Sequence, residues 1–118
     1  MNTYIVDGGR KLEGTVKISG SKNASLPILA AAILSSGTSR LYNIPNISDI
    51  ENTLEILRGL GCKVKKSNGK IEINSQNISH KEIPEHLMSK MRSSVILAGA
   101  ILGRFKEVRF SYPGGYDF

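Results

Sequence analysis

Apolar side chains at Leu26, Leu29, Ala30, Ile33 and Leu34 recur at helical spacing, which predicts a helix from Ser21 through about Ser36. Ile28, Ala31 and Ala32 widen that stripe, so the helix is expected to be buried on most sides. Ser21 is placed to cap it. Pro27 lacks an amide proton, so either the first turn kinks or the regular helix starts later than the cap. Upstream, residues 3–7 and 12–19 read as two strands joined through Gly8-Gly9, with Val16 and Ile18 on one face and Lys17 on the other. Downstream, Gly37 closes the helix and Arg40–Ile44 reads as a strand ending at Pro45. Ser48-Asp49-Ile50-Glu51 has the form of a capping box. The helix that follows reaches Leu60, with Ile47, Ile50, Leu54, Leu57 and Leu60 on one side and Gly61 as terminator. Cys62–Lys66 and Lys70–Asn74 form a hairpin about Asn68-Gly69, a pair suited to two positive φ angles. Cys62 shares a face with Val64, as Ile71 does with Ile73. A third helix after Pro84 carries Leu87, Met91, Val95, Ala98 and Leu102; a strand at Glu107–Tyr112 and a Pro113-Gly114-Gly115 loop follow.

The pattern repeats. Residues 21–34 align with residues 89–102 at most positions, an offset of 68, and the register carries Tyr42-Asn43-Ile44-Pro45 onto Phe110-Ser111-Tyr112-Pro113. Each copy is a helix–strand–helix–hairpin unit that buries its apolar face against its neighbours, which gives an α/β packing of helices on sheet. The first copy spans 21–88, and the second, 89–118, stops before its own second helix and hairpin, so the chain reads as the front of a larger protein. Val95, Leu102 and Val108 are accordingly expected to lie against nothing on one side.

At 118 residues and 40% hydrophobic content the chain is long enough for one real core. Arg92 and Arg104 bracket the longest apolar run, which is too short to span a membrane, and the first residues lack a secretory leader. A single cysteine, Cys62, excludes an internal disulfide framework and a cysteine-rich zinc site, and points to a reducing cytoplasm. The net charge of +6 favours anionic partners. Lys63, Lys65 and Lys66 have no interleaved aromatics, so they read as a solvated face and nucleic-acid binding is disfavoured.

Three places carry chemistry. Lys22-Asn23 follows a Ser-Gly-Ser turn at a helix start, where backbone amides and the dipole favour an anion; the alternative is a solvated surface lysine. Lys90 stands at the equivalent place in the second copy. Arg92, whose first-copy counterpart is Ala24, either reaches water past an apolar helix or meets an anion with its planar fork. Gly114-Gly115 permits close backbone approach to a ligand or an ordinary tight turn. His80 and His86 lack the spacing of a metal site. Gly99 and Gly103 read as sites of close helix packing.

Gly14-Thr15-Val16-Lys17-Ile18-Ser19-Gly20-Ser21-Lys22-Asn23-Ala24-Ser25-Leu26-Pro27-Ile28-Leu29-Ala30-Ala31 resembles the opening signature of the UDP-N-acetylglucosamine 1-carboxyvinyltransferase family, the enolpyruvyl transferases of peptidoglycan synthesis. So do Asn43-Ile44-Pro45, Leu60-Gly61-Cys62-Lys63-Val64, Met91-Arg92-Ser93-Ser94 and Tyr112-Pro113-Gly114-Gly115. The resemblance covers essentially the whole chain. It implies part of an inside-out α/β barrel lobe built of βαβαββ units, one complete and one truncated, with residues 1–20 as strands that pack on a second lobe. It implies transfer of enolpyruvyl from phosphoenolpyruvate to the 3′-hydroxyl of UDP-N-acetylglucosamine in the cytoplasm, a step of cell-wall biogenesis on which cell shape and division depend. No cofactor, metal, membrane or nucleic acid is implied. By the same resemblance Lys22 contacts phosphoenolpyruvate, Asn23 lies beside both substrates and Arg92 contacts the sugar nucleotide. Tyr116 stands where the family has a mobile-loop cysteine, and a phenol with a reference pKa near ~10 is a poorer nucleophile at neutral pH than a thiol near ~8.5. The alternative expectation is an inactive remnant, or a weak sugar-nucleotide-binding module.

Overall fold

The structure, a computed structural model, describes residues 2–79, 83, 85–88 and 94–109. In chain order these form α1 (Lys22–Ala31), a 3-10 turn (Ala32–Leu34), β1 (Thr38–Tyr42), α2 (Ser48–Leu60), β2 (Lys63–Ser67), β3 (Lys70–Asn74), α3 (Glu85–Met88) and α4 (Ser94–Phe105). The helix–strand–helix–hairpin unit of the first copy is therefore present.

The hairpin forms where local chemistry directs it. Asn68 and Gly69 both take positive φ, 31° and 74°, and β2 and β3 pair antiparallel from Lys63↔Asn74 to Ser67↔Lys70. β1 then pairs with the other edge of β3, from Thr38↔Asn74 to Tyr42↔Lys70, giving the order β1-β3-β2. β1 and β2 thus run in the same direction with β3 inserted between them, a split β-α-β arrangement with α2 as the crossover. Side chains alternate across the sheet. Ile71 and Ile73 are buried, with Leu41 and Val64 packed beside them on the helix side. The opposite face carries Arg40, Glu72, Lys63 and Lys65. There Glu72 accepts from Lys70 Nζ at 3.1 Å and Arg40 Nε at 3.2 Å, which together hold its carboxyl below the ordinary range. Lys66 lies on the other side of the pleat and pairs with Glu51.

α2 supplies the centre of the core through Ile50, Leu54, Ile56, Leu57 and Leu60. It ends in a Schellman closure: Gly61 sits at φ 109°, its amide bonds the Arg58 carbonyl, and the Cys62 amide bonds that of Leu57. The start of α2 differs from expectation. Ile47 is the capping residue with no side-chain cap, Ser48 is already helical, and Glu51 pairs with Lys66 across the fold instead of closing a capping box. β1 likewise ends at Tyr42, two residues early, because Asn43 turns the chain at φ 57°.

The repeat is visible in the burial of single side chains. Leu29, Ala30, Ala32 and Ile33 are buried on the first copy, and their equivalents Leu97, Ala98, Ala100 and Ile101 are buried on α4. The exposed positions match too: Ile28 is 46% exposed and Ile96 43%, Leu34 57% and Leu102 49%. α1 is therefore not buried on most sides, since Ile28, Ala31 and Leu34 face outward. The same geometry rotates α4 from the expected stripe: Ala98 faces the core, whereas Val95 and Leu102 are half-exposed. Val108 is half-buried against the core, and Val95 and Leu102 are uncovered on one side as expected. Gly103 does mark close packing, since a Cβ there would lie 3.1 Å from Leu34 Cδ2, but Gly99 faces open space. Arg104 and Ser75 close the end of the α1 region. Arg104 Nη1 donates to the carbonyls of Ile33 and Ser35 at 2.9 and 3.0 Å, and Ser75 Oγ donates to those of Ala32, at 3.0 Å, and Ser35.

The two expected opening strands are absent. Residues 2–19 run as extended chain without a ladder, and Tyr4, Ile5, Val6, Leu12, Val16 and Ile18 are 77–94% exposed. Alternation sets which face a strand would bury, but pairing makes the strand, and this arm pairs with no described segment. At the far end, the expected strand at Glu107–Tyr112 is reduced in the described residues to one bridge, with the Ile83 amide donating to the Arg109 carbonyl at 3.1 Å. Residues 110–112 of that strand lie outside the described residues.

Candidate functional site

Lys22 and Asn23 open α1, and the chain is locked there on three sides. Ser21 caps the helix at φ −78°, ψ 129°, its Oγ accepting from the Ala24 amide at 3.2 Å. Ser25 returns two bonds to the Ser21 carbonyl, from its amide at 3.0 Å and its hydroxyl at 2.6 Å. Pro27 sits inside the helix, which nevertheless starts at Lys22, so the late start does not occur. Gly20 presses against the left-handed Asn43, so closely that a Cβ at position 20 would lie 1.7 Å from the Asn43 carbonyl oxygen.

That contact brings the start of α1 beside the start of α2. Lys22 Nζ meets Asp49 Oδ2 at 2.6 Å, with the lysine half-exposed and the carboxylate 25% exposed. The Lys22 and Asn23 amides have no intrahelical carbonyl to bond, and the positive ends of two helix dipoles lie together. An ammonium with three donors, first-turn amides and an exposed asparagine amide form a surface suited to a small oxyanion.

Of the residues marked from sequence, the structure brings together Lys22 and Asn23. Arg92, Lys90, Tyr116, His80 and the Pro113-Gly114-Gly115 loop lie outside the described residues. Asp49 was missed because the reading of its turn assigned the chemistry to Ser48 and Glu51. The available signal was an acid in the first turn of a helix that follows the helix carrying Lys22. Cys62 is buried, and desolvation pushes its thiol up to about 11, with Arg104 acting weakly the other way. Among the described residues no His, Cys, Asp and Glu side chains cluster closely enough to hold a metal, and no helix is long and apolar enough to cross a membrane. A cavity of about 290 Å³ lies between the hairpin turn and the loop before α2, lined in part by Ile44, Pro45, Lys66 and Lys70, and does not include Lys22.

A split β-α-β unit followed by a second copy of its first helix is shared with a solved enolpyruvyl transferase, NikO from Streptomyces tendae. That structure superposes with a TM-score of 0.72 over 83% of this chain and 23% of its own, at 27% identity. The fold is thus part of an enolpyruvyl-transferase fold. The family model for EPSP synthase (3-phosphoshikimate 1-carboxyvinyltransferase) matches residues 6–117, and the chain belongs to that family. Among curated relatives, UDP-N-acetylglucosamine 1-carboxyvinyltransferase 2 of Caldanaerobacter subterraneus subsp. tengcongensis is 43% identical over 99% of this chain and 28% of its own length. The protein of the same name from Carboxydothermus hydrogenoformans is 44% identical over 98% of this chain and 27% of its own. The chain spans a little over a quarter of the length of these relatives.

Proposed function

We propose that this chain carries one wall of a UDP-N-acetylglucosamine 1-carboxyvinyltransferase site, within which enolpyruvyl passes from phosphoenolpyruvate to the 3′-hydroxyl of the sugar nucleotide and phosphate is released. The observation that carries this reading is the Lys22-Asn23 pair at the capped start of α1, beside the start of α2. Lys22 and the first-turn amides hold the phosphate of phosphoenolpyruvate, offsetting its charge while the C–O bond to phosphorus-bearing oxygen breaks. Asn23, able to donate and accept, lies next to both substrates. Arg92 takes the sugar nucleotide, its fork suited to a diphosphate oxygen pair. Tyr116 occupies the place of the family cysteine and is a weak proton donor or nucleophile at neutral pH. The reaction draws on no cofactor or metal.

The names and identities of the relatives support this reading over the shikimate reaction of the family model. Titration of the isotope-labelled chain with phosphoenolpyruvate is expected to shift the amides of Lys22, Asn23 and Ala24. UDP-N-acetylglucosamine is expected to bind at millimolar affinity or weaker, about −4 kcal/mol or less favourable. Shifts elsewhere, with residues 22–24 silent, would overturn the assignment. A non-catalytic sugar-nucleotide module is the second reading. Micromolar nucleotide binding without turnover, in an assay that also supplies the remaining length of a relative, would favour it.

A further inference from the structure

We infer that Asp49 is the positioning residue for Lys22, holding its ammonium at the start of α1 in readiness for the anion. The inference rests on the proposed phosphate role of Lys22. A lysine side chain has four rotatable bonds, and a half-exposed one ordinarily samples many rotamers. Here Nζ is drawn to Asp49 Oδ2 at 2.6 Å, a close charge-assisted contact. The carboxylate is itself placed by the fold. Asp49 lies in the first turn of α2, where the dipole favours an anion, and that turn is fixed by the Thr53 hydroxyl donating to the Asp49 carbonyl at 2.8 Å. Behind it, Gly20 against Asn43 sets the distance between the two helix starts. One of the three ammonium donors is then committed to Asp49 and two remain for a ligand oxygen.

The pair makes a prediction opposite to simple electrostatics. Removing a negative charge beside an anion site should tighten anion binding, whereas removing a tether should weaken it. Asp49→Ala is therefore expected to weaken phosphoenolpyruvate binding to the chain about three- to tenfold. Asp49→Asn, which keeps an acceptor oxygen and an N-terminal cap-like group, is expected to fall between. Unchanged or tighter binding in Asp49→Ala overturns the inference. A second readout needs no ligand: carbon relaxation at the Lys22 ε position should report a more ordered side chain than at Lys17 in the native chain. That order should fall to the Lys17 level in Asp49→Ala and partly recover in Asp49→Asn, each variant keeping the amide dispersion of the native chain. Equal mobility of Lys22 and Lys17 in the native chain also overturns it. If Lys22→Ala binds phosphoenolpyruvate as the native chain does, the phosphate role fails by itself, and the relaxation experiment still decides whether Asp49 holds Lys22.

Discussion

The arm at residues 2–19 and the unit at residues 21–79 both carry clean apolar patterning, yet only the second is folded into regular structure. The unit closes on itself: β3 accepts β1 on one edge and β2 on the other, and α2 covers the resulting face. The arm has equally good alternation at Val16 and Ile18 but pairs with no described strand, and its side chains stand almost fully exposed. A hydrophobic pattern specifies a face, and a partner turns the face into structure. The two regions meet at Gly20, which is pinned against Asn43.

The sharpest way to break this contrast is truncation of matched apolar residues. Leu57→Ala removes a fully buried side chain and is expected to cost about 2–5 kcal/mol, against less than about 0.5 kcal/mol for Ile18→Ala in the arm. Urea unfolding of both variants measures it, and equal losses would mean that the arm is packed. Alkaline pH probes the same core without mutation. Burial raises the Cys62 thiol from 9.0 to about 11, so between these values the unfolded chain releases a proton that the native chain retains. Stability is then fully present below about pH 9 and is lost as pH rises towards 11, by about 2–3 kcal/mol at most. Cys62→Ala should flatten that part of the profile.

The junction is the next test. Gly20→Ala places a methyl group on the Asn43 carbonyl and is expected to cost about 1–3 kcal/mol while shifting the Lys22 and Asn23 amides. Gly8→Ala, in the arm with open space around it, should change stability by less than about 0.5 kcal/mol. A smaller effect is expected at the seam between the two copies. Arg104→Met keeps the aliphatic stem but loses the bonds to the Ile33 and Ser35 carbonyls, for about 1–2 kcal/mol in thermal or urea unfolding. No change would show that solvent satisfies those carbonyls as well as the guanidinium does.

What could be read from the sequence follows the range of the interaction responsible. The Asn68-Gly69 turn, the Gly61 terminator and the Ser21 cap are set by residues within a few positions of one another, and each formed as its local chemistry dictates. The repeat was legible for a different reason: equivalent positions sit in equivalent surroundings, so Ile33 and Ile101 are both fully buried. Long-range competition defeated the rest. Glu51 has a local use in a capping box, but Lys66, distant in sequence, takes it instead. Ala31 and Leu34 fit an apolar stripe, but α2 and α4 cover only one side of the helix that carries them. At the candidate site, Lys22-Asn23 was marked by its place at a helix start, whereas the Asp49 contact depends on where a second helix begins in space.

The buried thiol also makes the protein unusually convenient to decorate. Cys62 is the sole cysteine, it is shielded, and it holds its proton well above the pH at which maleimides and iodoacetamides are used. A cysteine introduced at an exposed position such as Ser35 would therefore take up a fluorophore or spin probe while Cys62 stayed silent. Distances from the arm to the sheet become accessible with pairs of such labels, in a background where the native sulfur needs no removal.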